Sequence, residues 1–140
     1  MNKDVIISIS GFHENDDTDG GTIELVTDGQ YGLEDGFATF SYMESELTGM
    51  EGTKTTFEVH DSTVIIRREG TVNSLMTFEE GNKHLFMYEI PFGTMTMGVD
   101  THSISANFGD NGGDLNIKYV VDMNNTIVSR NEFKINVREV

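Results

Sequence analysis

Two carboxylates and a phenol alternate in Tyr42-Met43-Glu44-Ser45-Glu46. If the strand that precedes them continues, Tyr42, Glu44 and Glu46 share a face with Ala38 and Phe40. Arg68 follows Ile66 by two positions, so it also falls on an apolar face, and Tyr88 shares one with Phe86 and Ile90. Polar groups on otherwise apolar strand faces suit one chemistry best. An interior Arg paired to a Glu, with phenols beside it, anchors a ligand that carries a carboxylate or an amine. Tyr42, Glu44, Glu46, Arg68 and Tyr88 are therefore the candidate ligand-binding residues. For these residues the commoner arrangement is a satisfied Arg–Glu–Tyr network that holds strand register, or a solvated rim, since buried polar groups are usually hydrogen-bonded for structural reasons. In an enzyme, Glu44 or Glu46 would be the general acid or base and Arg68 an electrostatic stabiliser. No recognised catalytic spacing supports that role, so no catalytic residue is assigned.

Other motifs carry less. Asn15, Asp17, Asp19 and Gly20 mimic the start of a calcium loop, but its last position is Val26, where a bidentate Glu is needed. A solvated acidic loop is the better reading. Gly109 to Asp114 lacks the Lys-Ser/Thr of a phosphate cradle. His13, His60, His84 and His102 do not have zinc-protease spacing, and most sit at turns or strand ends. No Gly-x-Ser-x-Gly elbow occurs. With no Cys, disulfides, thiolate metal sites and cysteine nucleophiles are excluded. No metal or cofactor is assigned.

The chain of 140 residues has 24 Asp+Glu against 9 Lys+Arg, a formal charge of −15. Such a surface repels phosphates, which argues against nucleic acid and against anionic membranes as partners. With 36% hydrophobic residues the composition supplies a core rather than a disordered acidic tail. No apolar run reaches the roughly 20 residues of a membrane-spanning helix, and the N-terminus lacks a signal-peptide core. The expected compartment is the cytoplasm.

Short alternating runs must position the candidate residues. They fall at residues 3–12, 22–31, 36–43, 54–59, 63–68, 72–78, 85–90, 94–99, 103–108, 115–122 and 127–137, separated by turn residues at a spacing of about 8–12. No long window has helical periodicity, so a parallel α/β fold is disfavoured. His60-Asp61-Ser62 and Glu79 to His84 read as hairpin turns, Asn111-Gly112 and Asn124-Asn125 as turns that need positive φ, and Pro91-Phe92-Gly93 as a rigid break. Consecutive hairpins predict one domain over residues 1–140. It is all-β, a single closed up-and-down antiparallel barrel of about 8–10 strands. Phe37 to Met43 and Val64 to Ile66 are apolar on both faces, so a ligand, a loop or a second copy of the chain is expected to cover them. Met76, Met87, Met95 and Met97 add deformable apolar volume, read first as core packing.

Tyr42-Met43-Glu44-Ser45-Glu46-Leu47-Thr48-Gly49-Met50-Glu51-Gly52-Thr53 is followed by Arg68-Glu69-Gly70, Met76-Thr77-Phe78, Tyr88-Glu89-Ile90-Pro91-Phe92-Gly93 and Leu115-Asn116-Ile117-Lys118-Tyr119. In order and spacing this resembles the YwiB-like family, small bacterial proteins with a domain of unknown function. The likeness runs from about Val5 to Glu139, with Ile90 standing where the pattern has Thr. It implies a calycin-like, lipocalin-type barrel and no established activity. The functional expectation is a protein that holds a small amphipathic ligand inside the barrel. The alternative is a non-enzymatic interaction module that forms a homodimer through apolar strand faces.

Overall fold

The structure is a computed structural model. It describes residues 2–15, 18–34, 36–46, 50–124 and 126–140, without the side chains of residues 2, 13–15 and 18–21. Residues 16 and 17 of the acidic segment Glu14 to Asp19, and the side chains of the rest of it, lie outside what is described, as does the side chain of His13.

Ten strands follow one another: β1 (Asn2–Asn15), β2 (Thr18–Glu34), β3 (Phe37–Met43), β4 (Lys54–Val59), β5 (Thr63–Glu69), β6 (Asn73–Glu79), β7 (Lys83–Ile90), β8 (Gly93–Gly109), β9 (Gly112–Met123) and β10 (Thr126–Glu139). Each pairs antiparallel with the next, and β1 pairs with β10 to close the ring. The expected all-β closed meander is therefore the observed fold. Closure pairs each strand with a neighbour on both sides wherever adjacent strands overlap, and so removes sheet edges there.

Boundaries differ in two places. The acidic segment read as a solvated loop is strand at residues 14–15 and 18–21, so β1 and β2 extend beyond the expected 3–12 and 22–31. Residues 94–99 and 103–108 read as two strands but form the single strand β8. The polar break around His102 is absorbed by a register shift against β9 between Thr101 and Ser103. A bulge accommodates one extra residue without ending a strand. Elsewhere turn chemistry and backbone agree: Asn124 has φ 54° and Gly112 φ 119°. Gly93 opens β8 at φ 149°, directly after Pro91-Phe92.

Alternation decides what is inside. Leu115, Ile117, Tyr119 and Val121 of β9 are buried, as are Ile135 and Val137 of β10. Across the short strands, register aligns inward rows. Ala38, Val59, Val64 and Phe78 form one, and Phe40, Phe57, Ile66 and Met76 the next. Phe40 stacks on Phe57 with ring centroids 4.6 Å apart, and Phe78 meets Tyr119 edge-on at 4.8 Å. These rows fill one end of the barrel.

Strands thought to be apolar on both faces are covered unequally. Ala38, Phe40 and Tyr42 are buried, whereas Phe37, Thr39 and Ser41 are half-buried and Met43 is exposed. Phe37 gains outer cover from the His60 ring, 4.8 Å away. The methionines also divide: Met76 is buried and Met97 packs on the core, while Met87 and Met95 are exposed.

Candidate ligand-binding site

The strands are of two lengths, and the site lies where they stop matching. β3 to β7 have 6–8 residues each, while β1, β2, β8, β9 and β10 have 12–17. β2 pairs with β3 only over Gln30–Glu34, and its earlier residues pair with β1 alone among the described residues. The split begins at Gly29. A Cβ there would collide with the Ile7 side chain and the Ser41 carbonyl, so only glycine lets β2 pass this close before it leaves β3.

Under the overhang is a cavity of about 270 Å3. Ile9 and Gly11 of β1, Ile23 and Leu25 of β2, and Phe133 and Ile135 of β10 form one wall. Tyr42, Phe57 and Arg68 of the short strands, with Glu44 and Met50, form the other. Gly11 keeps the space open, because a Cβ would already stand 3.2 Å from the Phe133 ring. The volume is near the lower end of the roughly 300–1,000 Å3 typical of small-molecule sites.

The polar end of the cavity is built by register. Tyr42 pairs with Thr55, Thr55 with Arg68, Arg68 with Ser74, and Ser74 with Tyr88. Five adjacent strands thus carry one polar row just beyond the Phe40–Phe57–Ile66–Met76 row. Glu44 is held against it from the segment after β3. Its N–H donates to the Thr53 carbonyl at 2.8 Å, and Thr55 Oγ1 donates to its Oε2 at 2.5 Å. The Tyr42 hydroxyl also hydrogen-bonds its carboxylate. Buried Thr53 fixes this segment by accepting the Val72 N–H at 3.1 Å. Gly52 has φ 87°, and its carbonyl would collide with any Cβ at Gly70. The Gly52-Thr53 and Gly70 positions of the motif therefore serve to place Glu44.

Arg68 Nε stands 4.0 Å from Glu44 Oε2, with the two side chains 12% and 1% exposed. That separation carries charge attraction but exceeds a hydrogen bond. Arg68 Nη1 donates to the Met76 sulfur at 3.7 Å, a weak acceptor. Arg68 Nε is buried and has no acceptor among the described residues. Burial, followed by the Glu44 charge, raises the Tyr42 phenol well above its ordinary range, only partly opposed by Arg68. Tyr119 is raised as well, chiefly by burial. Both phenols stay protonated and can donate.

The structure brings together Tyr42, Glu44 and Arg68. It does not bring Glu46 to them: β3 ends at Met43, the chain turns, and Glu46 is exposed. The alternation that put Glu46 on the inner face needed a strand that does not continue. Tyr88 is inward and half-buried in the polar row but does not line the cavity. Sequence reasoning missed Thr55, Ser74, Met50 and Asn131. Thr55 was the most accessible of these, since it sits two positions before Phe57 on the same face. Ser74 and Asn131 carry the same signal, two positions before Met76 and Phe133, but which strands they face depends on cross-strand register. Among the described side chains the histidines do not converge: His84 pairs with Glu79 at 2.9 Å, and His102 is exposed. Among the described residues no three His, Asp or Glu side chains are arranged to hold a metal ion.

The family model described as "Domain of unknown function (DUF1934)" matches residues 7–135. The chain belongs to this family. The crystal structure of the ywiB protein from Bacillus subtilis superposes on this DUF1934 barrel with a TM-score of 0.89 at 21% identity, covering 99% of this chain and 93% of that one. At that identity the likeness speaks to fold. Curated proteins show no match.

Proposed function

We propose that the protein binds a small amphipathic molecule inside its barrel, with the apolar part between Leu25, Phe57, Phe133 and Ile135 and the polar end at Arg68. The observation that carries this reading is a largely apolar cavity lined by Arg68, whose buried Nε has no acceptor among the described residues. A buried donor left unmade costs about 1–3 kcal/mol, and a bound acceptor removes that cost. Lipocalin-type barrels, of eight strands, hold single ligands in the same way; the analogy is one of fold. We propose a cytoplasmic location, in keeping with the chain's lack of Cys. Among the described residues no helix is long and apolar enough to cross a membrane.

Native mass spectrometry of protein purified from its own host tests the reading. A small-molecule adduct is expected, lost on denaturation and lost in Leu25→Phe, which fills the cavity. A bare chain that also takes up no apolar probe overturns it.

One observation favours the second reading, a homodimer. Leu75, Leu85 and Met87 are exposed together on the outside of β6 and β7. These two strands are bridged at only two residue pairs, Asn73 with Glu89 and Ser74 with Tyr88. Sedimentation as a monomer at micromolar concentration would remove it.

A further inference from the structure

Resting on the cavity reading above, we infer that the ligand's head group is uncharged and offers an oxygen acceptor to the Arg68 guanidinium, as an alcohol or a primary amide does. An anion would gain the guanidinium but would also face Glu44, whose Oε2 lies 4.0 Å from Arg68 Nε. An amine would gain Glu44 but face Arg68. The pair already balances its own charge, so either ion would bring an uncompensated charge into a wall that is mostly hydrocarbon, where unpaired charge is costly.

Glu44 is moreover engaged by Thr55 and Tyr42, which hold its carboxylate in place rather than leaving it to take up a cation. Arg68 lines the cavity and its guanidinium carries donors only, so a head group that meets it must accept. Asn131, on the opposite wall, adds an uncharged polar group, with its Nδ2 donating to Ser129 Oγ at 2.9 Å. The net charge of −15 works against anions approaching the mouth. A neutral acceptor satisfies Arg68 without opposing any of these groups.

Isothermal titration at pH 7 with octanamide, 1-octanol, octanoate and octylamine tests the inference. The two uncharged ligands should bind at least about tenfold more tightly than the two ions. In the double variant Arg68→Met/Glu44→Gln, whose interior stays neutral, octanamide should lose about tenfold. Tightest binding by octanoate or octylamine overturns the head-group inference and leaves the cavity reading standing, as do equal affinities for all four. No binding of any of the four by the wild-type chain overturns the cavity reading, and this inference with it.

Discussion

Replacing Glu44 by Gln keeps the shape of the side chain and removes its charge. The consequence follows from Arg68. At 4.0 Å and an effective dielectric near 20, the attraction between the two is about 4 kcal/mol. Its loss leaves a guanidinium only 12% exposed without a counter-charge. Breaking a buried pair from one side costs about 3–5 kcal/mol, and the slight exposure of Arg68 argues for the lower end, about 3 kcal/mol. Gln can still accept from Thr55, so that hydrogen bond adds little to the loss. Urea denaturation followed by circular dichroism reads the change. With a typical slope for a protein of this size, the midpoint should fall by about 1–2 M with the slope unchanged. The double variant Arg68→Met/Glu44→Gln should recover most of the loss, because the stranded charge is gone. A Glu44→Gln midpoint within error of wild type would refute the reasoning. So would a double variant as unstable as the sum of its singles, since contacting partners must couple.

Gly29→Ala should cost about 1–3 kcal/mol, because its methyl group would collide with Ile7 and with the Ser41 backbone; a thermal melt reads it, and an unchanged Tm would show that β2 does not pass so close. Phe57→Ala should cost about 3–5 kcal/mol by removing the ring that stacks on Phe40 and walls the cavity. Alkaline pH should destabilise the fold. Tyr42 and Tyr119 titrate above the ordinary 10.0 when folded, so from about pH 10 upward the unfolded chain releases protons that the folded chain retains, and stability falls. The phenolate absorbance of both should therefore appear together with the loss of circular dichroism, and its appearance in the folded protein would contradict their burial.

The architecture is legible in local signals. Alternation such as Leu115-Asn116-Ile117-Lys118-Tyr119 is local, and its period of two distinguishes strand from helix without knowledge of neighbours. Turn residues such as Asn124 and Gly112 mark hairpins through their own backbone preference, which is local as well. Tyr42 and Arg68 were legible for the same reason, as polar side chains in step with Phe40 and Ile66. Glu46 was not, because its face depends on where β3 stops, and that is set by the Thr53 contacts rather than by Glu46 itself. The tertiary structure alone decided the site. Thr55, Arg68, Ser74 and Tyr88 become one row only through pairing register, a relation between residues far apart in the chain. The cavity owes its place to strands of unequal length meeting in one closed ring, and to Gly29 letting β2 peel away from β3. Period and turn chemistry reside in neighbouring residues. Register, closure and enclosed volume exist only between strands, which is why no segment of the sequence displays them.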